Sequence, residues 1–253
     1  MTSQLSLHGR SVVVDSERIV EAFPRFIADE KMVVIGPLPG RGEHESHVLN
    51  TVGSVDWFSS VSVDEFRFDN RSGVLVSAAL HVPDQVWEPA RKSELGGRSM
   101  SGAICLVDIA DFFSPSTTVR HYGSDDVLTC LMGSGSAADQ ELTFLDISQG
   151  LSLIFAVDQY VGWRLVDASA ALADSSGEVA VGEAVCVELR EGLADYLELT
   201  STSMVEQLYG RDRIVRNCLE RLVERLSDPA ALLPTKCTIL SRMADDLLRE
   251  WFD

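Results

Sequence analysis

Residues 65–80 read EFRFDNRSGVLVSAAL and residues 141–156 read ELTFLDISQGLSLIFA. In the first stretch Phe66 and Phe68 alternate with Glu65, Arg67 and Asp69, Asn70 to Gly73 supply turn chemistry, and an apolar run returns from Val74 to Val82. A period of two, a glycine-containing turn and an apolar return predict an antiparallel β-hairpin. The second stretch follows the same plan, with Leu142 and Phe144, a turn about Asp146 to Gly150 and the run Leu151 to Val157. At a constant offset of 76, Glu65 matches Glu141, Phe68 matches Phe144, Ser72 matches Ser148, Leu75 matches Leu151 and Trp87 matches Trp163. Upstream, VLNTVGS from Val48 resembles VLTCLMGS from Val127. These matches point to a tandem duplication, with related units near 31–95 and 104–170 joined by the loop-like ELGGRSMSG of residues 94–102.

Outward from the hairpins, strands are expected at Ser11 to Val14, Met32 to Ile35, Ala103 to Ile109, Val127 to Met132, Trp163 to Val166 and Glu178 to Leu189. A helix is expected from Ser16 to Phe23, continuing to Phe26 and Ile27, because Ile19, Val20 and Phe23 share one face. The last 50 residues change character. Ile214, Val215, Cys218, Leu219, Leu222, Val223 and Leu226 fall at helical spacing up to Asp228-Pro229, and a second helix after Pro234 carries Ile239, Leu240, Met243, Leu247, Leu248, Trp251 and Phe252. Together they make an αα-hairpin whose apolar stripe serves the core of the same chain or a weak homodimer seam. The fold class is α+β. Its divisions are a first α/β unit over 1–97, an acidic β-rich unit over 103–200, and C-terminal helices over 201–253 packed on the second unit.

Charge is unevenly placed. Residues 101–210 hold 17 acids against three cations, Arg120, Arg164 and Arg190, whereas 1–100 hold 14 acids against ten bases and 211–253 hold eight of each. The net charge of -18 therefore sits mainly in the middle of the chain. A field of that sign repels phosphate backbones and anionic lipid and speeds encounter with cationic partners. Nucleic acid and membrane surfaces are excluded as partners on this reading. Arg outnumbers Lys 18 to 3, as in GC-rich genomes, where an acidic, lysine-poor surface is also ordinary solubility chemistry. The arginines from Arg211 to Arg225 interleave with Asp212, Glu220 and Glu224, which describes a salt-bridged helix face rather than a nucleic-acid stripe. The first residues lack a basic start followed by an apolar run, and nowhere do 18 apolar residues run together, so a cytoplasmic protein is expected. Cys105, Cys130, Cys186, Cys218 and Cys237 are odd in number, widely spaced and free of CxxC, which argues against a disulfide framework or a structural zinc site.

Three constellations bear on chemistry. VLTCLMGSGSAAD offers a strand, then Gly133-x-Gly135-x-x-Ala138, with Asp158 where a ribose-binding acid would stand; a dinucleotide unit requires Asp139 to Ser148 to be helical. His44 and His47, with flanking carboxylates and with His81 or His121 to complete a set, form a possible divalent-metal grouping. The acids Asp108, Asp111, Asp125, Asp126, Asp139 and Glu141 are candidates for the face that meets a partner. GRSMSG around Ser99 and Ser101 does not fit the GxSxG elbow. In size, acidity and hairpin content the chain resembles bacterial immunity proteins that neutralise basic nuclease toxins, a likeness of composition that assigns no residue roles. The functional expectation is a non-enzymatic acidic protein that docks a basic protein partner and needs no cofactor. The alternative is a nucleotide- or small-molecule-dependent enzyme using the Gly133–Ala138 loop.

Overall fold

The computed structural model describes residues 4–37, 44–54, 63–87, 95–133, 140–174, 185–227 and 234–252. The strands run β1 (Gln4–Leu7), β2 (Arg10–Asp15), β3 (Arg25–Ile27), β4 (Met32–Ile35), β5 (Thr51–Gly53), β6 (Glu65–Asp69), β7 (Leu75–His81) and β8 (Gly97–Ser101). They continue as β9 (Ala103–Leu106), β10 (Val119–Tyr122), β11 (Leu128–Leu131), β12 (Leu142–Ser148), β13 (Leu151–Ala156), β14 (Gln159–Leu165) and β15 (Leu172–Ala173). The helices are α1 (His44–Asn50), α2 (Val187–Leu199), α3 (Thr202–Tyr209), α4 (Arg213–Leu226) and α5 (Thr235–Phe252). Among the described residues no helix is long and apolar enough to cross a membrane. The α+β class holds.

The larger sheet has the order β8-β12-β13-β14-β1-β2-β9, with the β10–β11 hairpin attached to β14. Its two ends, β8 and β9, are one stretch of chain interrupted only by Gly102. Ser101 pairs with Asp146 of β12, and Ala103 pairs with Asp15 of β2. The pairing path therefore closes on itself as a barrel, which leaves no free edge along that path. A Cβ on Gly102 would stand 2.7 Å from the Asp15 carbonyl oxygen, so the seam admits no side chain. The smaller sheet has the order β15-β3-β4-β7-β6-β5 and shares one apolar core with the barrel.

Both quoted hairpins form, but in different registers. Phe68 faces Leu75 across β6–β7, whereas Phe144 faces Ile154, the counterpart of Ala78, across β12–β13. Trp163 is buried in β14, while Trp87 lies beyond β7, half-buried against the outer face of the barrel. The sequence identities thus do not all occupy equivalent positions, and the fold does not establish the duplication. Strands of the 1–97 division are shared between both sheets, and β15 from the second division joins the smaller one, so sheet membership does not follow those boundaries.

Several local expectations are corrected. Residues 16–23 are irregular and Arg25–Ile27 is a strand, because this backbone is drawn into pairing: the Val20 amide donates to Ile147, and the Ala103 amide to Arg18. The loop-like 97–101 is strand β8. Residues 187–189, expected in a strand, open helix α2; residues 178–184 lie outside the described part. The C-terminal helices form as expected, with Val215, Leu219, Leu222 and Leu226 of α4 buried together with Leu240 and Met243 of α5. Their apolar stripe is core of the same chain.

The helical layer is tied to the barrel by Arg120 of β10, only 2 % exposed, whose Nη2 donates to the Leu197 carbonyl and, at 3.3 Å, to Thr200 Oγ1. Carbonyls of the last helical turn have no partner inside the helix, and a guanidinium satisfies several acceptors at once. Replacing Arg120 by Met keeps the volume and removes the donors. Arg120→Met is expected to cost about 2–4 kcal/mol, a melting point lower by roughly 5–15 °C in a thermal scan. A change under about 1 °C would show that Arg120 does not hold α2 to the barrel.

Candidate functional site

Tracing each candidate acid to its place separates the interior carboxylates from the outer ones. Asp126 is 3 % exposed in the β10–β11 turn, so it does not belong to a partner face. Its carboxylate accepts from Tyr122 Oη at 2.6 Å, from the Ser169 amide at 3.0 Å and from the Ser169 hydroxyl. Burial first, and this neighbouring carboxylate second, push the Tyr122 phenol well above its ordinary range. Its neighbour Asp125 is exposed. Glu141 is exposed just before β12, and Asp158 is exposed in the tight turn between β13 and β14. The register places these two at one end of the barrel wall and Asp125 at the other: Leu142 pairs with Ala156, whereas Leu128 pairs with Leu165. Asp139 and Gly135 lie outside the described residues.

Asp108 and Asp111 are brought together by Arg10. Its Nη1 reaches Asp108 at 3.3 Å, and its Nη2 donates to the Asp111 carbonyl at 2.8 Å. They belong to segment 107–113, which leaves β9 and exposes Val107 (59 %), Ile109 (40 %) and Phe113 (63 %). The segment thus exposes three large apolar side chains and two carboxylates within seven residues. The segment is pinned rather than loose. The Val107 amide donates to Ser11 at 3.0 Å, the Phe112 amide to Gly53 at 3.0 Å, and the Gly53 amide to Asp111 Oδ1 at 2.9 Å. Phe112 turns inward against Phe68, with ring centroids 6.3 Å apart. The sequence showed the two acids but not the exposed apolar residues, because Ala103 to Ile109 reads as one strand whereas the pairing ends at Leu106.

The dinucleotide reading fails on its helix. Residues 142–148 are strand β12, antiparallel to β13, and Asp158 stands in a hairpin turn rather than beyond a parallel strand. Gly133 follows β11, and among the described residues no atom beyond its chain neighbours lies within 4 Å of the place a Cβ would take. His44 and His47 lie three apart on α1, and His47 Nε2 is 3.1 Å from Ser77 Oγ. Among the described residues, no three His, Cys, Asp or Glu side chains are grouped to hold a metal. A groove of about 350 Å³ between α2, α3 and α4 has an apolar floor of Leu199, Met204, Cys218 and Leu222. Its rim pairs opposite signs, Arg225 with Asp195 at 2.6 Å.

One buried acid went unnoticed in the sequence because it precedes an alternating strand. Asp64 is fully buried, accepting from the His81 amide at 2.8 Å and from Tyr160 Oη at 3.1 Å, and so joins the smaller sheet to the barrel. Burial pushes its carboxyl up to about 7 against those hydrogen bonds. The His8 ring packs edge-on against Tyr160 at 5.0 Å, and burial takes its imidazole down to about 4. Asp64 has no exposed surface. The chain matches no protein-family model and no curated protein.

These two groups give pH dependences of opposite sign. Asp64 binds its proton more tightly folded than unfolded, so its contribution falls as pH rises from about 4 to 7 and is level above that. His8 binds its proton less tightly folded, so its contribution rises from about pH 4 to 6.5. In Asp64→Asn, the melting point relative to wild type should gain about 5–10 °C between pH 5 and pH 8. His8→Asn, which suits the positive φ of 50° at this turn position, should lose ground relative to wild type over pH 4–6.5. Parallel melting curves for either variant and wild type would refute the corresponding assignment.

Proposed function

We propose that the protein is a non-enzymatic binding protein that docks a basic protein partner, an immunity or inhibitor-type role being the most concrete form. The observation that carries this reading is segment 107–113, where Val107, Ile109 and Phe113 stand exposed beside Asp108 and Asp111.

The distribution of charge around it supports the same reading. The three cations of residues 101–210 are engaged by the protein's own groups. Arg120 is buried against α2, Arg164 stacks 3.9 Å from the Phe144 ring centroid, and Arg190 lies 3.9 Å from the buried Asp126. Among the described acids of that region, Asp126 is buried, Asp146 and Asp174 are half-buried, and the rest are exposed. Arg10, Arg225 and Arg242 from outside the region offset a few of them. A partner with Lys or Arg set around an apolar centre would meet Asp108 at the rim and cover Phe113 in the middle. Opposite charge speeds the encounter, and apolar burial sets how long the complex lasts.

The test is capture from lysate of the source cells by wild type, Phe113→Ala and Asp108→Arg in parallel. A basic protein held at about 0.05 M NaCl, released by about 0.5 M and retained about tenfold less by each variant is the expected result. Retention that ignores salt, or that is equal for all three, would sink the proposal.

A further inference from the structure

Cys186 and Cys237 lie 51 residues apart in the chain, and their Sγ atoms are 3.8 Å apart in the fold. Cys186 is the N-cap residue of α2 and is half-buried; Cys237 is in the first turn of α5 and is buried. The two sulfurs are in van der Waals contact, and a disulfide needs about 2.05 Å between them. Closing the remaining distance asks for a side-chain rotation and a small shift of two helix starts, not a rearrangement of the fold.

We infer that Cys186 and Cys237 form a reversible disulfide that clasps the start of α2 to the start of α5, with a small-molecule disulfide of the glutathione class as the oxidant. Cys186 is the partner that solvent reaches. Its sulfur attacks one sulfur of the oxidant, the oxidant's S–S bond breaks, and the first small thiol leaves with one proton. The proton that this first small thiol carries away is the one Cys186 gives up. Cys237 then attacks the Cys186 sulfur of the mixed disulfide, and the second small thiol leaves with the proton from Cys237. Two protein thiols are oxidised by two electrons, one disulfide is reduced to two thiols, and the protons balance.

The other thiols differ in setting. Burial pushes the Cys130 thiol well up, and burial together with Asp15 raises that of Cys105. Both are therefore held protonated and slow to attack a disulfide. Cys218 lies in the floor of the α2–α4 groove. The clasp would close a loop of some fifty residues that spans α2, α3 and α4, restricting the unfolded chain and stabilising the helical layer.

The full-length protein, reduced and then incubated with oxidised glutathione, should yield one cross-linked peptide pair containing Cys186 and Cys237 by non-reducing peptide mass mapping. Its melting point should rise by about 5–10 °C and return on reduction. Cys237→Ser should accumulate glutathione on Cys186, and Cys186→Ser should give neither the linked pair nor the rise. A mixed disulfide that persists on Cys186 in wild type would overturn the inference, as would a linkage seen only after denaturation. A linked pair without a rise in melting point would overturn the clasp.

Discussion

The guanidinium of Arg120 is the constraint that fixes how the helical layer meets the barrel. The carboxyl end of α2 is turned toward the barrel wall, where water is excluded and its last carbonyls need donors. A neutral side chain supplies one or two N–H groups at most, whereas Arg120 serves the Leu197 carbonyl and the Thr200 hydroxyl from one buried position. The same solution recurs at the end of α1, where Arg67 donates to the Thr51 hydroxyl and to the Val48 and Thr51 carbonyls. Lys236, at the start of α5, donates to the Ala170 carbonyl in the turn after β14. Buried cations in this fold answer main-chain oxygens first. They are thereby withdrawn from the surface, where they would have screened the acids.

Carboxylates divide by the same logic. Asp64 and Asp126 are interior acceptors that join elements distant in the chain, one between the two sheets and one between the β10–β11 turn and the turn after β14. Asp64 lacks a cation at hydrogen-bond distance among its described partners, and burial resolves the conflict by raising its affinity for a proton. Asp126 has the Arg190 guanidinium at 3.9 Å and three donors on its oxygens. Among the exposed acids Asp111 has such a duty through the Gly53 amide. The number of surface acids follows from the composition, 39 acids against 21 Lys and Arg, and says little by itself about where a partner docks.

What was legible in the sequence was whatever rests on periodicity within one element. The β12–β13 hairpin and the α4–α5 pair could be read because their apolar spacing is local. The barrel closure was not legible. Gly97 to Gly102 has the composition of a loop, and its small residues are there because neighbouring backbone comes close; a Cβ on Gly97 would stand 2.4 Å from the Leu142 carbonyl oxygen. Helix α2 was hidden by the valines before it, although Leu189, Leu193, Tyr196 and Leu197 keep helical spacing. Arg67 reads as a solvent-facing residue of an alternating strand and is buried, because the end of α1 covers that face. In the candidate site, the acids at 108 and 111 could be read as charge, while the exposure of Phe113 and the burial of Phe112 depend on the Gly53 contact from the other sheet.

That contact also bears on why segment 107–113 is suited to recognition. A loop that must be ordered on binding surrenders conformational entropy, and only the surplus of interaction energy appears as affinity. Here the ordering is done in folding. Arg10 of the barrel holds the Asp111 carbonyl, Gly53 of the smaller sheet exchanges hydrogen bonds with Asp111 and Phe112, and the Phe112 ring anchors against Phe68. The segment thus lies where the two sheets meet, and its outward side chains are presented on a backbone fixed from both sides. An exposed phenylalanine on such a backbone has only its side-chain rotamer freedom left to lose when it is covered. In the proposed complex the apolar triad, rather than the more numerous acids, would supply the affinity, and the acids would govern how fast and from which direction a basic partner arrives.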